Sequence, residues 1–377
     1  MRIVEKSLSA GAPPYPLNKI GPEGRLMLLD IGTSGTVSGN GRILIIGTAV
    51  PSSSGSLEIT QYLAESSDEE PAIILAFLET IASFHPARLI TFNGERFDLR
   101  FIRKRAALLG IDCRALDGVP SGDLYRIVRP YRDASGLPDL REETLIKALT
   151  GTDSGRGIPS GIFEPSDTFR PFSPDSFSLI ASANEQSLVS LVHLTPIFSL
   201  EDLVLTEPEI TRAQADTYHD HEGRRTEEIL LYLSLSSPVP FPVAAGRDSC
   251  FFKAEGSSAL VKAPVLTGEM KYFYADYRNY DYFPAEDQAL HRSIAMFADK
   301  THRVPCTREN CYTRKSGAFI PFWGDTELPV FRRTLTDPTG YIEFSDRIKG
   351  SRKELTSYAL SVLRHIADPE GKYFALC

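Results

Sequence analysis

A chain of 377 residues with 42% apolar side chains has room for two domains and enough apolar material to bury a real core. Its net charge of −8 speaks against a dedicated duplex-DNA binder. No apolar run approaches the ~20 residues of a membrane span, and five cysteines without paired spacing point to a reducing compartment, the cytoplasm, rather than to a disulfide framework.

Residues 1–24 are polar and rich in Gly and Pro, without the apolar centre of a signal peptide, and read as a flexible lead-in. Leu26-Met27-Leu28-Leu29 is an unbroken apolar run, the pattern of a strand buried on both faces. Asp30 stands where that run ends, followed by Ile31-Gly32-Thr33-Ser34-Gly35. A carboxylate there, on the rim of a sheet, is well placed to hold a divalent cation. Arg42–Thr48 reads as a second strand and Leu57–Leu63 as a third, the three forming an antiparallel meander. Acids at Asp68, Glu69 and Glu70 before Ile73, Ile74, Phe77, Leu78, Ile81 and Phe84 predict a helix with one apolar face. A strand at Arg88–Phe92, reached through that helix, should pair parallel to the first. An Asn93-Gly94 turn then leads into a helix with Asp98 in its first turn. That helix should bury Phe97, Phe101, Ala107 and Leu108 and offer Arg100, Arg103, Lys104 and Arg105 outside, where they could meet a phosphate chain or simply face water.

A last strand is expected within residues 112–122, Asp123 as the cap of the next helix, a helix at Leu140–Leu149, a Gly/Pro/Ser-rich loop over residues 151–173 that is long enough for a lid or a substrate-facing loop and reads equally as a surface connection, and a long helix over residues 175–200. After a polar break near Thr206-Glu207-Pro208, residues 209–233 read as helical. Residues 251–262 and 271–274 read as strands, residues 284–299 as holding a helix marked by Leu290, Ile294 and Phe297, residues 311–321 as a turn, and Lys353–Ile366 as an amphipathic closing helix. The tyrosine-rich stretch Tyr272–Phe283 beside Arg278 reads as core alternation first and as a base-stacking platform second. His302, Cys306 and Cys311 lack the repeated pairs of a zinc finger. Residues 300–377 carry 13 Lys and Arg against 9 Asp and Glu, a net of +4, leaving −12 for the remainder. That basic segment could track phosphates or be a solvated surface.

Asp30-Ile31-x-Thr33-x-Gly35 after a buried strand, followed by Phe92-Asn93-Gly94-x-x-Phe97-Asp98-x-x-Phe101-Ile102, resembles the DEDD superfamily of 3′–5′ exonucleases, and within it the YprB-like ribonuclease H-like domain proteins. The resemblance covers roughly residues 26–200. It implies an α/β fold, a ribonuclease H-like mixed five-stranded sheet flanked by helices, over residues 25–205, with residues 206–377 an α+β C-terminal region. It implies catalytic and metal-holding roles for Asp30 and Asp98, Mg²⁺ or Mn²⁺ as cofactor, and contact of Thr33 and Asn93 with a single-stranded DNA or RNA end. Three chemical positions depart from the pattern. Gly32 stands where the family has glutamate, Ser187 where it has its last aspartate, and Ala183 where it has its aromatic or histidine base, within Ala183-Asn184-Glu185-Gln186-Ser187-Leu188-Val189-Ser190-Leu191.

In such enzymes two cations about 4 Å apart activate water and steady the leaving oxygen. Here the first ion's set would keep Asp30 and lose two carboxylates, and the second would keep Asp30 and Asp98. Glu185 is turned about 200° from Ser187 on a helix and should face elsewhere; Glu95, on the turn, could reach inward. The expectation is a nuclease-fold protein that binds nucleic acid with catalysis lost or strongly reduced. The alternatives are an exonuclease working with a reduced ligand set, and a protein-interaction scaffold.

Overall fold

The computed structural model describes residues 1–36, 38–151, 172–219, 223 and 225–367. The lid expected at residues 151–173 therefore lies almost wholly outside the described residues. The chain divides into two compact units, one of Met1–Glu201 with Val239–Phe241, the other of Asp202–Pro238 and the chain from Pro242 on.

The first unit is built on a six-stranded sheet: β1 (Arg2–Ser9), β2 (Leu26–Thr33), β3 (Ile43–Pro51), β4 (Ser56–Leu63), β5 (Arg88–Thr91) and β6 (Ser121–Asp123), in the order β1-β4-β3-β2-β5-β6. The helices are α1 (Leu17–Ile20), α2 (Glu70–Phe84), α3 (Asp98–Leu109), α4 (Leu124–Val128), α5 (Glu142–Thr150), α6 (Pro174–His193) and α7 (Ser199–Leu205). β2 to β4 form the antiparallel meander, and β5 pairs parallel with both β2 and β6. β2 and β3 are buried almost throughout, as their apolar runs require. One face of the sheet packs on α2 and α3 through Ile73, Phe77, Ile81, Phe101 and Ile102. α6 covers Leu44, Ile45 and Leu63 on the other.

The sheet has six strands rather than five because residues 2–9, expected within a flexible lead-in, pair antiparallel with β4 along their whole length. β1 half-buries only Val4, Lys6 and Leu8 and exposes the rest, Ile3 included. Such an edge strand is specified by its partner's free backbone groups, not by apolar periodicity. α3 is also rotated from expectation: Ala106 is buried while Ala107 and Leu108 are exposed, and Arg105 points inward.

Arg105 forms a buried ion pair with Glu70. Its Nε and Nη2 donate to the two carboxylate oxygens at 2.8 and 2.6 Å, and Glu70 also accepts the Ile43 amide at 2.9 Å. This fork ties α3 to α2 and to the first residue of β3.

The second unit is mainly antiparallel. β7 (Glu209–His219), β8 (Arg225–Ser234), β9 (Val243–Arg247), β10 (Cys250–Glu255), β11 (Ser258–Phe273), β15 (Tyr312–Phe322) and β16 (Gly340–Glu343) form one sheet. β12 (Tyr280–Phe283), β13 (Gln288–His291) and β14 (Val304–Pro305) form a smaller one. α8 (Arg292–Ala295) and α9 (Asp346–Gly350) are short, and α10 (Arg352–Ala367) is the amphipathic helix expected near the end. The region read as helical, residues 209–233, is instead the β7–β8 hairpin. Helix formers populate it, but β8 is paired on both sides, with β7 and with β11, and that ladder overrides local preference. Residues 311–321, read as a turn, are most of β15. Residues 284–299, expected to hold a helix, instead hold β13, which takes Leu290, and the single turn α8, with Ile294 and Phe297 exposed. Tyr272 and Tyr274 pack edge to face, and Tyr274 stacks on Tyr280, around a small cluster that buries Cys306 and Cys311. No single helix among the described residues is long and apolar enough to cross a membrane.

Removing one member of the Glu70–Arg105 pair strands a charge in the core. Glu70→Ala should cost about 3–5 kcal/mol in urea unfolding, whereas the double change Glu70→Leu with Arg105→Met should restore most of that loss.

Candidate functional site

The parallel pairing of β2 with β5 decides where the acids fall. Leu28 pairs with Ile90, so Asp30 emerges at the same end of the sheet as the turn after β5. That turn is held by Asp123 at the end of β6. Its carboxylate accepts the amides of Asn93 (2.8 Å) and Glu95 (3.0 Å), and caps α4 by accepting those of Tyr125 and Arg126. Asn93 takes the left-handed conformation, φ 61°. Gly94 is required because a Cβ there would lie 2.4 Å from Thr91 Oγ1. The chain then enters α3 with Asp98 facing β2, and Asp98 Oδ1 accepts the Ile31 amide at 3.2 Å. Asp30 and Asp98 thus share one pocket of about 730 Å³.

α6 supplies the opposite wall. Gly47 of β3 is in register between Asp30 of β2 and Gln61 of β4. Having no side chain, it leaves room for Asn184 to lie across the strands; a Cβ at this position would meet Asn184 Oδ1 at 1.9 Å. Asn184 Nδ2 donates to Asp30 Oδ2 at 2.8 Å and to the Asp30 carbonyl at 3.0 Å, while its Oδ1 accepts from Gln61 Nε2 at 2.9 Å. Ser187, one turn on, lines the pocket and hydrogen-bonds Asp30. Ala183 packs instead against Leu44, Ile45 and Leu63 in the core.

The other sequence-derived candidates are dispersed. Gly32 is buried in β2 opposite Ile45, just before a register shift. Thr33 is also fully buried and its hydroxyl donates to the Gly35 carbonyl at 3.0 Å, so it does not join the pocket lining as a contact for a strand end. Asn93 does line the pocket, and its side-chain Oδ1 is buried without a partner among the described residues. Glu185 faces away and pairs with Lys6 of β1. Glu95 pairs with Arg126 at 3.3 Å instead of reaching inward.

Glu142, the first residue of α5, is an acid that reading the sequence missed, and Asp139 and Glu143 beside it also line the pocket. Glu142 lines the pocket, bonds Ser190 of α6, and its charge acts on both Asp30 and Asp98. Nothing in its sequence spacing ties it to Asp30; only the packing of α5 on α6 brings it there. The shifts at the three acids share a first cause. Burial, then the charge of Asp98, holds the Asp30 carboxyl well above the usual range, against the pull of its bonds to Asn184 and Ser187. Burial pushes Asp98 up to about 7, opposed by backbone amides and helped by Asp123 and Glu142. Burial raises Glu142 as well.

At the positions the resembling enzymes use around the first ion, the pocket has Asp30 but takes no carboxylate from Gly32 or Ser187. Among the described residues no three His, Cys, Asp or Glu side chains converge as a metal-holding group, His302, Cys306 and Cys311 included. Asp30 and Asp98 would be the ligands nearest to hand for an Mg²⁺ or Mn²⁺ ion, with one oxygen of Asp30 already bonded to the Asn184 amide.

Residues 27–159 match the family model of the RNase H superfamily, a stretch that includes Asp30, Asp98 and Glu142 but ends before α6. Together with the mixed sheet and its flanking helices, this shows a ribonuclease H-like fold. Among solved structures the chain is similar to the family B DNA polymerase from the hyperthermophilic archaeon Pyrobaculum calidifontis. The TM-score is 0.41 and the identity 12%, covering 94% of this chain and 48% of that one. The chain thus spans about half the length of that polymerase. No curated protein matches it.

Because the native state keeps a proton on Asp98 that the unfolded chain has already released, stability should fall as pH rises from about 4 to about 7. The loss for this one group is on the order of 4 kcal/mol. Asp98→Asn retains an acceptor for the Ile31 amide and should remove most of that slope in urea unfolding measured at several pH values.

Proposed function

We propose that this protein is a YprB-like member of the DEDD superfamily that binds a single-stranded DNA or RNA end in the pocket beside Asp30 and Asp98, with hydrolysis lost or strongly reduced. The observation that carries the reading is what α6 offers to Asp30: an amide at Asn184 and a hydroxyl at Ser187, with Ala183 buried behind them. A serine oxygen coordinates weakly and neutralises no charge. An absent general base forfeits roughly 10²–10⁴-fold in rate.

The acids that remain are vestigial in this reading, and any Mg²⁺ or Mn²⁺ is held weakly. What the pocket retains is a means of holding a strand. The orphaned Asn93 Oδ1 can accept from a sugar hydroxyl or base amine, Phe92 packs edge-on against Tyr125 on one wall, and Arg132 lines the rim. The thiols Cys113, Cys250, Cys306 and Cys311, all free, support a cytoplasmic setting.

One observation favours the second reading, an exonuclease with a reduced ligand set. Glu142 returns a carboxylate to the pocket from an unexpected element, with its charge acting on both Asp30 and Asp98. The two readings separate in one assay. A labelled single strand incubated with the protein and Mn²⁺ should be bound and left intact. Chelator-sensitive digestion that disappears in Asp30→Ala and in Glu142→Gln would replace the first reading with the second. Gly32→Glu combined with Ser187→Asp should raise Mn²⁺ affinity in calorimetry. No gain over the parent would mean these positions do not face the ion.

A further inference from the structure

The outer side of α3 carries a feature that the acid pocket does not use. Leu99, Arg100, Arg103, Lys104 and Ala107 line a shallow groove of about 500 Å³ together with Glu95. Two of its charges are answered nearby, Glu95 by Arg126 at 3.3 Å and Arg103 by Asp117 at 2.7 Å. Arg100 and Lys104 are exposed and have no anionic partner among the described residues, as is also true of Arg96 on the turn before the helix. Arg100 and Lys104 are four residues apart, so they stand on one face about 6 Å along the axis from each other.

Their placement runs against helix electrostatics. α3 spans Asp98–Leu109, which puts Arg100 in its first turn and Arg96 just before it, at the end whose free amides disfavour cations. The last turn, where cations are favoured, has none. A row of uncompensated cations at the positive end of a helix is a local conflict that an external anion resolves. The same turn that places Asn93 and Asp98 in the acid pocket places Glu95, Leu99 and Arg100 in the groove, so a chain leaving the pocket over this turn enters the groove directly.

We propose that this groove binds the sugar–phosphate backbone of a single nucleic-acid strand whose end occupies the pocket. Arg96, Arg100 and Lys104 take successive phosphates, and the half-buried Leu99 and the exposed Ala107 and Leu108 give sugars or base faces an apolar surface. The inference rests on the nucleic-acid reading of the pocket and adds the track by which the strand leaves it. Positive residues beside apolar surface suit unpaired strands, whose bases are free to lie flat.

The test is a fluorescence-anisotropy titration of a labelled single strand of about 16 nucleotides, repeated over a range of salt concentrations. Each phosphate contact on a single strand contributes about 0.7 to the slope of log K against log salt. Arg96→Ala with Arg100→Ala and Lys104→Ala should therefore flatten the slope by about 2 and weaken binding on the order of a hundredfold at 0.1 M salt. The lysine variant Arg96→Lys with Arg100→Lys should keep most of the affinity. Wild-type binding with an unchanged slope in the triple alanine variant would overturn the groove while leaving the pocket reading intact. Failure of the wild-type protein to bind any strand would overturn both. Displacement of the labelled strand by poly-glutamate at concentrations far below those required of unlabelled strand would replace the nucleic acid with an acidic polypeptide. Arg114→Ala, which removes an exposed arginine paired with Asp112, should leave binding unchanged.

Discussion

The parallel contact between β2 and β5 organises the first unit. It is made by only a few residues, yet it sets the end of the sheet at which Asp30 and the turn after β5 emerge, and so requires two carboxylates to share a buried space. The unit answers that cost locally. Asp98 takes the Ile31 amide, Asp30 takes the Asn184 amide, and Asp123 is saturated with backbone donors. What remains unpaid appears as raised proton affinity at Asp30, Asp98 and Glu142. Buried carboxyls of this kind cluster at functional sites because structure alone gains nothing from them.

The second constraint is the cross-strand row Asp30–Gly47–Gln61, bridged by a single asparagine on α6. Without Gly47 the helix could not approach, and without the helix neither Asn184 nor Ser187 would reach Asp30. Fold and site are coupled at this point: the contact that seats α6 on the sheet also occupies Asp30.

Much of the first unit is legible in its sequence. Leu26–Leu29 announces a buried strand by its apolar run, and Asn93-Gly94 announces a turn by its chemistry. Both signals are local, and the crossover rule then brings Asp98 to Asp30. The features that escaped are those decided by partners distant in sequence. Residues 2–9 become a strand because β4 has a free edge. Residues 209–233 become a hairpin because β11 is long enough to pair with β8. Arg105 turns inward because Glu70 waits there, and no periodicity encodes that fork. Glu142 reaches the pocket only because α5 packs on α6. In each case the deciding energy is a long-range pairing, to which single-sequence periodicity is blind.

The Asn184 amide bound to Asp30 has a bearing on how the protein matures. In an enzyme whose cations are clamped by a full set of acids, the empty centre is a knot of like charge, and assembly leans on the supply of metal. Here a neutral side chain built into the fold performs part of that quieting, with a hydrogen-bond donor standing where an ion would pull. In the first unit that donor is part of the helix–sheet contact itself, so seating α6 and offsetting part of the charge of Asp30 are one event.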